Sequence, residues 1–201
     1  MLRPDKVVIY DELGADQPAT WQWLLHSPVE FHVAGNKVTT TYIVKGGFTS
    51  VAQIFSDQTP TITTTNKWFQ GGEPADQDPV KYPKEWHLTA EFASCAQSKI
   101  LTVIQISDDG RVDDIWRVDD NFKIGDWEVE AELSADKPAA ISIVNRLTGT
   151  VFNNSNQTLI INGTPYQRRQ ENSSILYDAV HGEKQVQEIG DKKLQVTRSL
   201  Q

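Results

Sequence analysis

Imidazole is the side chain best suited to bind a transition metal, or to move a proton, near neutral pH. Among the four histidines of this sequence, His26 stands out because it ends the run Trp-Leu-Leu-His at residues 23–26, immediately before Ser27 and Pro28. At the end of a strand and before a proline-marked turn, a side chain can point towards a neighbouring domain. Two interpretations are open for His26: an ordinary histidine at a strand edge, or a metal ligand or acid–base group.

The other histidines give weaker signals. No two histidines have the spacing of paired ligands on one helix, so the local sequence indicates no complete zinc site. His32 falls on the polar face of a predicted hairpin, and His87 alternates with Trp86 and Leu88, which favours structural roles for both. His181 is typical of a turn.

Nucleophilic catalysis has no support. The sequence has no Gly-x-Ser-x-Gly motif, and its single cysteine, Cys95, lies at a predicted strand end, where we expect it to act as a small hydrophobic residue. One cysteine also excludes an intrachain disulfide and a cysteine-rich zinc site. Paired carboxylates occur at residues 11–12, 108–109, 113–114 and 119–120. Spacing alone cannot nominate a glycosidase pair, so solvated turns are the better interpretation and we assign no catalytic residue.

Several aromatic residues lie within or near a long predicted loop at residues 70–84. They are Trp68, Tyr82, Trp86 and Trp116. Exposed aromatic rings can stack on sugar rings, whereas buried ones build a core. Both interpretations are open.

The elements that must position these side chains are strands nearly everywhere. At residues 19–27, Trp21, Trp23 and Leu25 share one face, while Gln22 and His26 lie on the other with Leu24, because side chains alternate along a strand. Strands are predicted at 7–10, 19–27, 29–33, 37–44, 48–55, 59–69, 85–93, 100–106, 127–133, 141–144, 150–152, 158–161, 174–177, 186–189 and 193–197. No segment has a sustained helical period. The pattern predicts an all-β fold, an antiparallel, multi-stranded β-sandwich of layered sheets.

Two of these patterns are specific. Residues 100–106 are apolar on both faces, which predicts a central strand. Residues 127–133 alternate apolar side chains with acidic ones, which predicts a strand with one wet face. Gly35 and Asn36 predict the turn of a hairpin.

Length and charge limit the classes of protein. The 201 residues carry a formal net charge of 19 − 27 = −8, and 38% are apolar, which argues against disorder. The length fits a single domain over 1–201, with a subdivision near 134–140 left open. An acidic chain without clustered lysine and arginine disfavours nucleic acid and anionic membranes as partners. The sequence shows no signal peptide and no apolar run long enough to span a bilayer.

One stretch resembles a known family. Residues 3–13 (Arg-Pro-Asp-Lys-Val-Val-Ile-Tyr-Asp-Glu-Leu) and 21–27 (Trp-Gln-Trp-Leu-Leu-His-Ser) closely resemble the β-sheet region of the heparinase II/III-like polysaccharide lyases. The likeness covers about the first 28 residues and is fainter at 85–89, 101–104 and 174–178.

The resemblance implies an architecture and an activity. Such lyases have an N-terminal helical toroid followed by antiparallel β layers, and they cleave uronic-acid-containing polysaccharides by β-elimination. The chain then corresponds to the C-terminal β part. Its expected partners are the N-terminal helical toroid of the same parent polypeptide and an acidic polysaccharide. The family also implies a bacterial parent that is periplasmic or exported.

The resemblance also assigns a role to His26. In metal-containing relatives the histidine of this phrase looks like one ligand of a zinc site, but the fellow histidine and aspartate, which lie earlier in the chain, have no counterpart here. We therefore expect no cofactor in the isolated chain and zinc only in a full-length parent. Because the principal proton-moving Tyr and His also lie upstream, we expect the isolated chain to be inactive. The alternative is a non-catalytic carbohydrate-binding or structural adaptor module.

Overall fold

The computed structural model describes residues 2, 5–43, 46–67, 78, 84–170, 173–178, 182–189 and 193–196. The described residues form strands, turns and loops without a helix, which confirms the all-β prediction. Accordingly, this part of the chain has no helix of the length and hydropathy needed to cross a membrane. The expectations for Trp68, Tyr82, His181 and most of the loop at 70–84 fall outside the described residues.

The chain divides into two compact units. The first comprises Met1–Val112 with Leu133–Asp136, and the second comprises Asp113–Glu132 with Lys137–Gln201. Compactness is distinct from independent folding, so the single domain expected over 1–201 stays a prediction.

The first unit contains two antiparallel sheets. A five-stranded sheet has the order β1-β8-β5-β4-β3, and a three-stranded sheet has the order β2-β7-β6. Their bounds are β1 Lys6–Ala19, β2 Gln22–Ser27, β3 His32–Ala34, β4 Lys37–Tyr42, β5 Phe48–Phe55, β6 Thr61–Thr65, β7 Trp86–Glu91 and β8 Cys95–Ser107. As predicted, β8 is central, because it pairs with β1 on one side and β5 on the other.

One apolar core joins the two sheets of this unit. The five-stranded sheet contributes Val38, Ile54 and Ile100, while the three-stranded sheet contributes Leu88 and Ala90. Each of these side chains is almost fully buried. Two sheets that share one apolar interior form a β-sandwich.

The first strand is longer than its sequence predicts. Asp11 and Glu12 were expected to end it, yet β1 continues past Gly14 to Ala19, with a register shift between those two residues. Its backbone groups pair with β8 throughout the first stretch, so ladder hydrogen bonding prevails over weak strand propensity. Beyond the shift, the Trp21 indole Nε1 donates to the Cys95 carbonyl at 3.1 Å, which anchors the entry to β2.

The second unit is built on one sheet of eight strands and a two-stranded hairpin. The sheet has the order β18-β17-β16-β13-β12-β11-β10-β9, and the hairpin is β14-β15. Their bounds are β9 Ile115–Val118, β10 Asn121–Ile124, β11 Trp127–Ala131, β12 Ile141–Asn145, β13 Thr150–Asn153, β14 Leu159–Ile161, β15 Thr164–Tyr166, β16 Ser173–Asp178, β17 Gly182–Ile189 and β18 Lys193–Val196. The hairpin covers part of one face of the sheet, because its Ile161 and Tyr166 pack on Val144, Val151 and Ile175.

Candidate functional site

The Trp-Leu-Leu-His run occupies β2, and its side chains alternate as the sequence predicts. Trp23 and Leu25 pack against the core of the first unit, while Leu24 and His26 are exposed on the outer face of the three-stranded sheet. The inward residues hold the strand in register because Leu25 lies opposite Leu88 of β7. His26 is therefore positioned by the core without being part of it.

The same register brings a second histidine to His26. In the antiparallel pairing of β2 with β7, His26 lies directly opposite His87. The two imidazole rings are stacked, with centroids 4.5 Å apart and planes inclined by 5°. His87 is half-buried, whereas the His26 side chain is 53% exposed.

A carboxylate completes the group. Glu85 immediately precedes β7, and its Oε2 lies 3.9 Å from His26 Nδ1. One ligand-type atom from each of His26, Glu85 and His87 lies within 4.8 Å of the other two. We call these three residues the histidine cluster. Two imidazoles and a carboxylate are a donor set that zinc and related ions use in proteins.

The cluster differs from the sequence-based expectations in one respect. The sequence offers His26 as a metal ligand or acid–base group, favours a structural role for His87 and gives no signal for Glu85. Among the described histidines, His32 stands apart from the cluster, on the exposed strand β3. His87 and Glu85 could have been nominated only by knowing that β7 pairs with β2, since about sixty residues separate them in sequence.

A groove in the second unit is the other candidate site. It has a volume of about 560 Å³ and lies between the outer parts of β9–β12 and the hairpin strand β14. Residues that line it include Trp116, Val118, Lys123, Glu128, Arg146 and Ile160. Trp116 is 70% exposed, so its ring is available to a ligand.

The chemistry of the groove follows from one row of residues across the sheet. Successive strands β9 to β12 place Trp116, Lys123, Glu128 and Val144 in register. The row is apolar at Val144, where the hairpin covers the sheet. Beyond the hairpin it carries the charged Glu128 and Lys123, and it ends at the aromatic Trp116 on β9. The Arg146 guanidinium also donates from Nε to the Glu128 carboxylate, at 2.9 and 3.1 Å. The result is an exposed aromatic face beside paired hydrogen-bonding groups.

The histidine cluster and the groove are the two candidate sites that we identify among the described residues. Trp116, one of the aromatics considered for sugar stacking, lines the groove. Trp86 is half-buried and packs against the core of the first unit.

Neither a protein-family model nor a curated protein matches this sequence.

Proposed function

We propose that this chain is the C-terminal β-sheet portion of a heparinase II/III-like polysaccharide lyase, and that it braces the substrate cleft of a uronate-cleaving enzyme. The observation that carries the proposal is the phrase at residues 3–27, of which 6–19 and 22–27 fold as β1 and β2. Trp23 and Leu25 of this phrase pack inward, so its His26 is left facing outward. A domain that docks on this face meets the histidine directly.

The chemistry of β-elimination explains why such a portion does not act alone. The reaction needs a positive or hydrogen-bonding group on the uronate carboxylate, a base for the adjacent proton and an acid for the leaving oxygen. The outward positions of β2, β7 and β6 carry two histidines and several threonines, but no lysine or arginine. The net charge of −8 also repels a polyanion. Carboxylate neutralisation therefore falls to the helical toroid, which is the proposed partner.

Two measurements on the parent test the proposal. The genomic reading frame upstream of codon 1 is expected to continue and to encode a helical domain. The full-length product, assayed on uronate polysaccharides, is expected to release unsaturated uronate ends, whereas the present chain releases none. Product release by the present chain alone would contradict a purely supporting role, and an upstream stop codon would contradict the lyase parent.

The groove of the second unit favours a second candidate, a carbohydrate-binding module that does no chemistry. An exposed tryptophan next to paired polar groups is a common way to hold a sugar ring, because the ring stacks while its hydroxyls hydrogen-bond. Among the described lining residues, Lys123 and Arg146 balance Glu128 and Glu130. This balance suits a glycan of low charge.

Binding of the isolated chain to a panel of uncharged and uronate oligosaccharides discriminates the two candidates. The module predicts saturable binding to an uncharged glycan that depends on Trp116. The lyase portion predicts no such binding, since its contacts with substrate require the toroid.

A further inference from the structure

We propose that His26, His87 and Glu85 form a site for a zinc-class divalent metal ion that is built within this chain. The proposal rests on the three-residue geometry described above and not on the lyase assignment. Ligands from earlier in the parent polypeptide, which the family resemblance implies, are not required.

The separations of the donor atoms suit a metal after small side-chain rotations. In a tetrahedral zinc site with bonds of about 2.1 Å, neighbouring ligand atoms are about 3.4 Å apart. The cluster spans up to 4.8 Å, and His26 Nδ1 is already 3.9 Å from Glu85 Oε2. Closing the widest separation takes roughly 1.4 Å, which rotation of the exposed His26 and Glu85 side chains supplies without backbone movement.

Strand pairing and core packing fix the backbone around the cluster. His26 and His87 are directly opposed in an antiparallel pair, where Cβ atoms are about 5 Å apart. The core packs beneath both strands through Leu25 and Leu88, so the backbone and Cβ positions of the two histidines are fixed while the imidazole rings turn about their side-chain bonds. Glu85 lies two residues before His87 and is exposed, which lets its carboxylate approach either ring. Two histidines on a fixed backbone and one adjustable carboxylate can therefore close around a metal ion.

The local charge also favours a cation. The outward positions of β2, β7 and β6 hold no lysine or arginine, although Lys67 and Lys84 lie just beyond the ends of β6 and β7. Glu91, at the other end of β7, adds a negative charge and accepts a hydrogen bond from Gln22. Imidazole ligands select zinc, cobalt, nickel and copper over magnesium and calcium, which prefer all-oxygen sites. Three protein ligands leave a fourth position for water.

The test is metal titration of the untagged chain, since a polyhistidine tag would itself bind zinc. After treatment with a chelator, calorimetry with Zn²⁺ is expected to show one ion per chain, and Co²⁺ is expected to give the visible absorption of a four-coordinate nitrogen and oxygen site. Mg²⁺ is expected to give no saturable heat. His26→Ala, His87→Ala and Glu85→Gln should each weaken Zn²⁺ binding at least about tenfold, given that even the outer hydrogen-bond partners of metal ligands account for that much. His32→Ala, an exposed strand histidine outside the cluster, should bind as the wild type does.

The outcomes separate clearly. Absence of binding by the wild type overturns the proposal, as does equal weakening by His32→Ala. A loss confined to His26→Ala overturns the three-ligand set. Circular dichroism checks that each variant folds, and because His26 and Glu85 are exposed, their variants remain informative even if His87→Ala fails to fold. No polysaccharide enters the experiment, so its failure is distinct from failure of the lyase proposal.

Discussion

The Lys99 ammonium donates a hydrogen bond to the Ser134 carbonyl, 35 residues further along the chain. Lys99 is only 2% exposed, and it lies on the central strand β8 of the first unit. Residues 133–136 belong to that unit although the chain on both sides of them belongs to the second. This hydrogen bond therefore helps to hold residues 133–136 against the first unit.

Replacing Lys99 tests that role. Lys99→Ala removes both the hydrogen bond and the buried stem of the side chain, so we expect the free energy of unfolding to fall by about 2–4 kcal/mol. Lys123→Ala, at an exposed position on β10, is the control and should change it by less than about 0.5 kcal/mol. Chemical denaturation followed by tryptophan fluorescence measures both. Equal effects would show that the burial of Lys99 contributes nothing.

Asn153 is the second buried polar residue with a clear structural role. Its side chain is fully buried, and its Nδ2 donates to the carbonyls of Gln157 and Tyr166 while its Oδ1 accepts from the Ser155 backbone. Asn153→Ala leaves these groups unpaired, so a loss of about 2–3 kcal/mol of unfolding free energy is expected.

The control for Asn153 is Asn156→Ala, whose exposed side chain accepts from Arg168. Its expected cost is below about 1 kcal/mol. Urea unfolding curves compare the two variants, and a cost at Asn156 as large as that at Asn153 would refute the argument. Asn153 also begins an Asn-Asn-Ser sequon. Its burial makes it a poor acceptor for a glycan once the unit has folded.

Asp11 is expected to lower stability at neutral pH. It lies on β1 opposite the core residue Ile100, and burial raises the pKa of its carboxyl group above the ordinary 3.8. A raised folded-state pKa means that the ionised form opposes folding, fully so above that pKa. The cost is lost as the pH falls through the raised value and below 3.8. Asp11→Asn should therefore raise the melting temperature at pH 7.

The pH dependence is the decisive part of that experiment. The advantage of Asp11→Asn over the wild type should shrink as the pH is lowered towards 3.8, because the wild-type carboxyl is then neutral in the folded state. Glu12→Gln changes the neighbouring exposed side chain and serves as the control, with little expected difference. An advantage of Asp11→Asn that is independent of pH would point to some other cause.

Gly125 has both a positive φ and a close neighbour, whereas Gly149 has only the positive φ. Both Gly125 and Gly149 have positive φ, at 57° and 73°, so alanine at either position is expected to cost about 1 kcal/mol. A Cβ at Gly125 would also lie 2.4 Å from Asp113 Oδ2, whereas at Gly149 it would meet nothing within 4 Å. Thermal unfolding should show that Gly125→Ala costs more than Gly149→Ala.

Removing the obstructing carboxylate checks the cause. In a Gly125→Ala, Asp113→Ala double variant, the cost attributable to Gly125→Ala should return to that of Gly149→Ala, measured against Asp113→Ala alone. If it stays high, the steric explanation is wrong.

Trp116 tests the groove. Because it is 70% exposed, Trp116→Ala should change the free energy of unfolding by less than about 0.5 kcal/mol. If the groove holds a sugar, losing a stacking contact of about 1 kcal/mol should weaken binding of an uncharged oligosaccharide about fivefold. Val118→Ala, which trims another exposed groove residue without an aromatic face, should have a smaller effect. NMR titration measures the affinity of each variant for the oligosaccharide. If Trp116→Ala binds as tightly as Val118→Ala, stacking on Trp116 is excluded.

Much of this fold follows from local patterns. The predicted strand at 48–55 has the bounds of β5, and on β11 Trp127 and Val129 are buried while Glu128 and Glu130 are exposed, as alternation requires. Strong alternation and long apolar runs are recoverable because burial on one face or both determines them directly.

The strands β9 and β10 were not predicted, for an identifiable reason. Their residues alternate only briefly, and the turn between them is made by Asp119 and Asp120, a doublet whose interpretation as a solvated turn did not by itself indicate strands on either side. Asp119 adopts a φ of 53°, which aspartate tolerates better than most residues. The doublet was a turn signal between two strands of four residues each.

The candidate site was half predictable. Alternation around Trp23 and Leu25 places His26 on the outer face from sequence alone. The position of His87 next to His26 depends on the register of β2 against β7, which is set by core contacts such as Leu25 with Leu88. Contacts between distant segments have no local signature.

The anchoring of Trp21 by the Cys95 carbonyl has a practical consequence. Cys95 is the single thiol in the chain, and it is half-buried at the first residue of β8. A quenching spin label attached there would sit beside an indole emitter. The fluorescence yield of that emitter would then report the loosening of this corner separately from global denaturation.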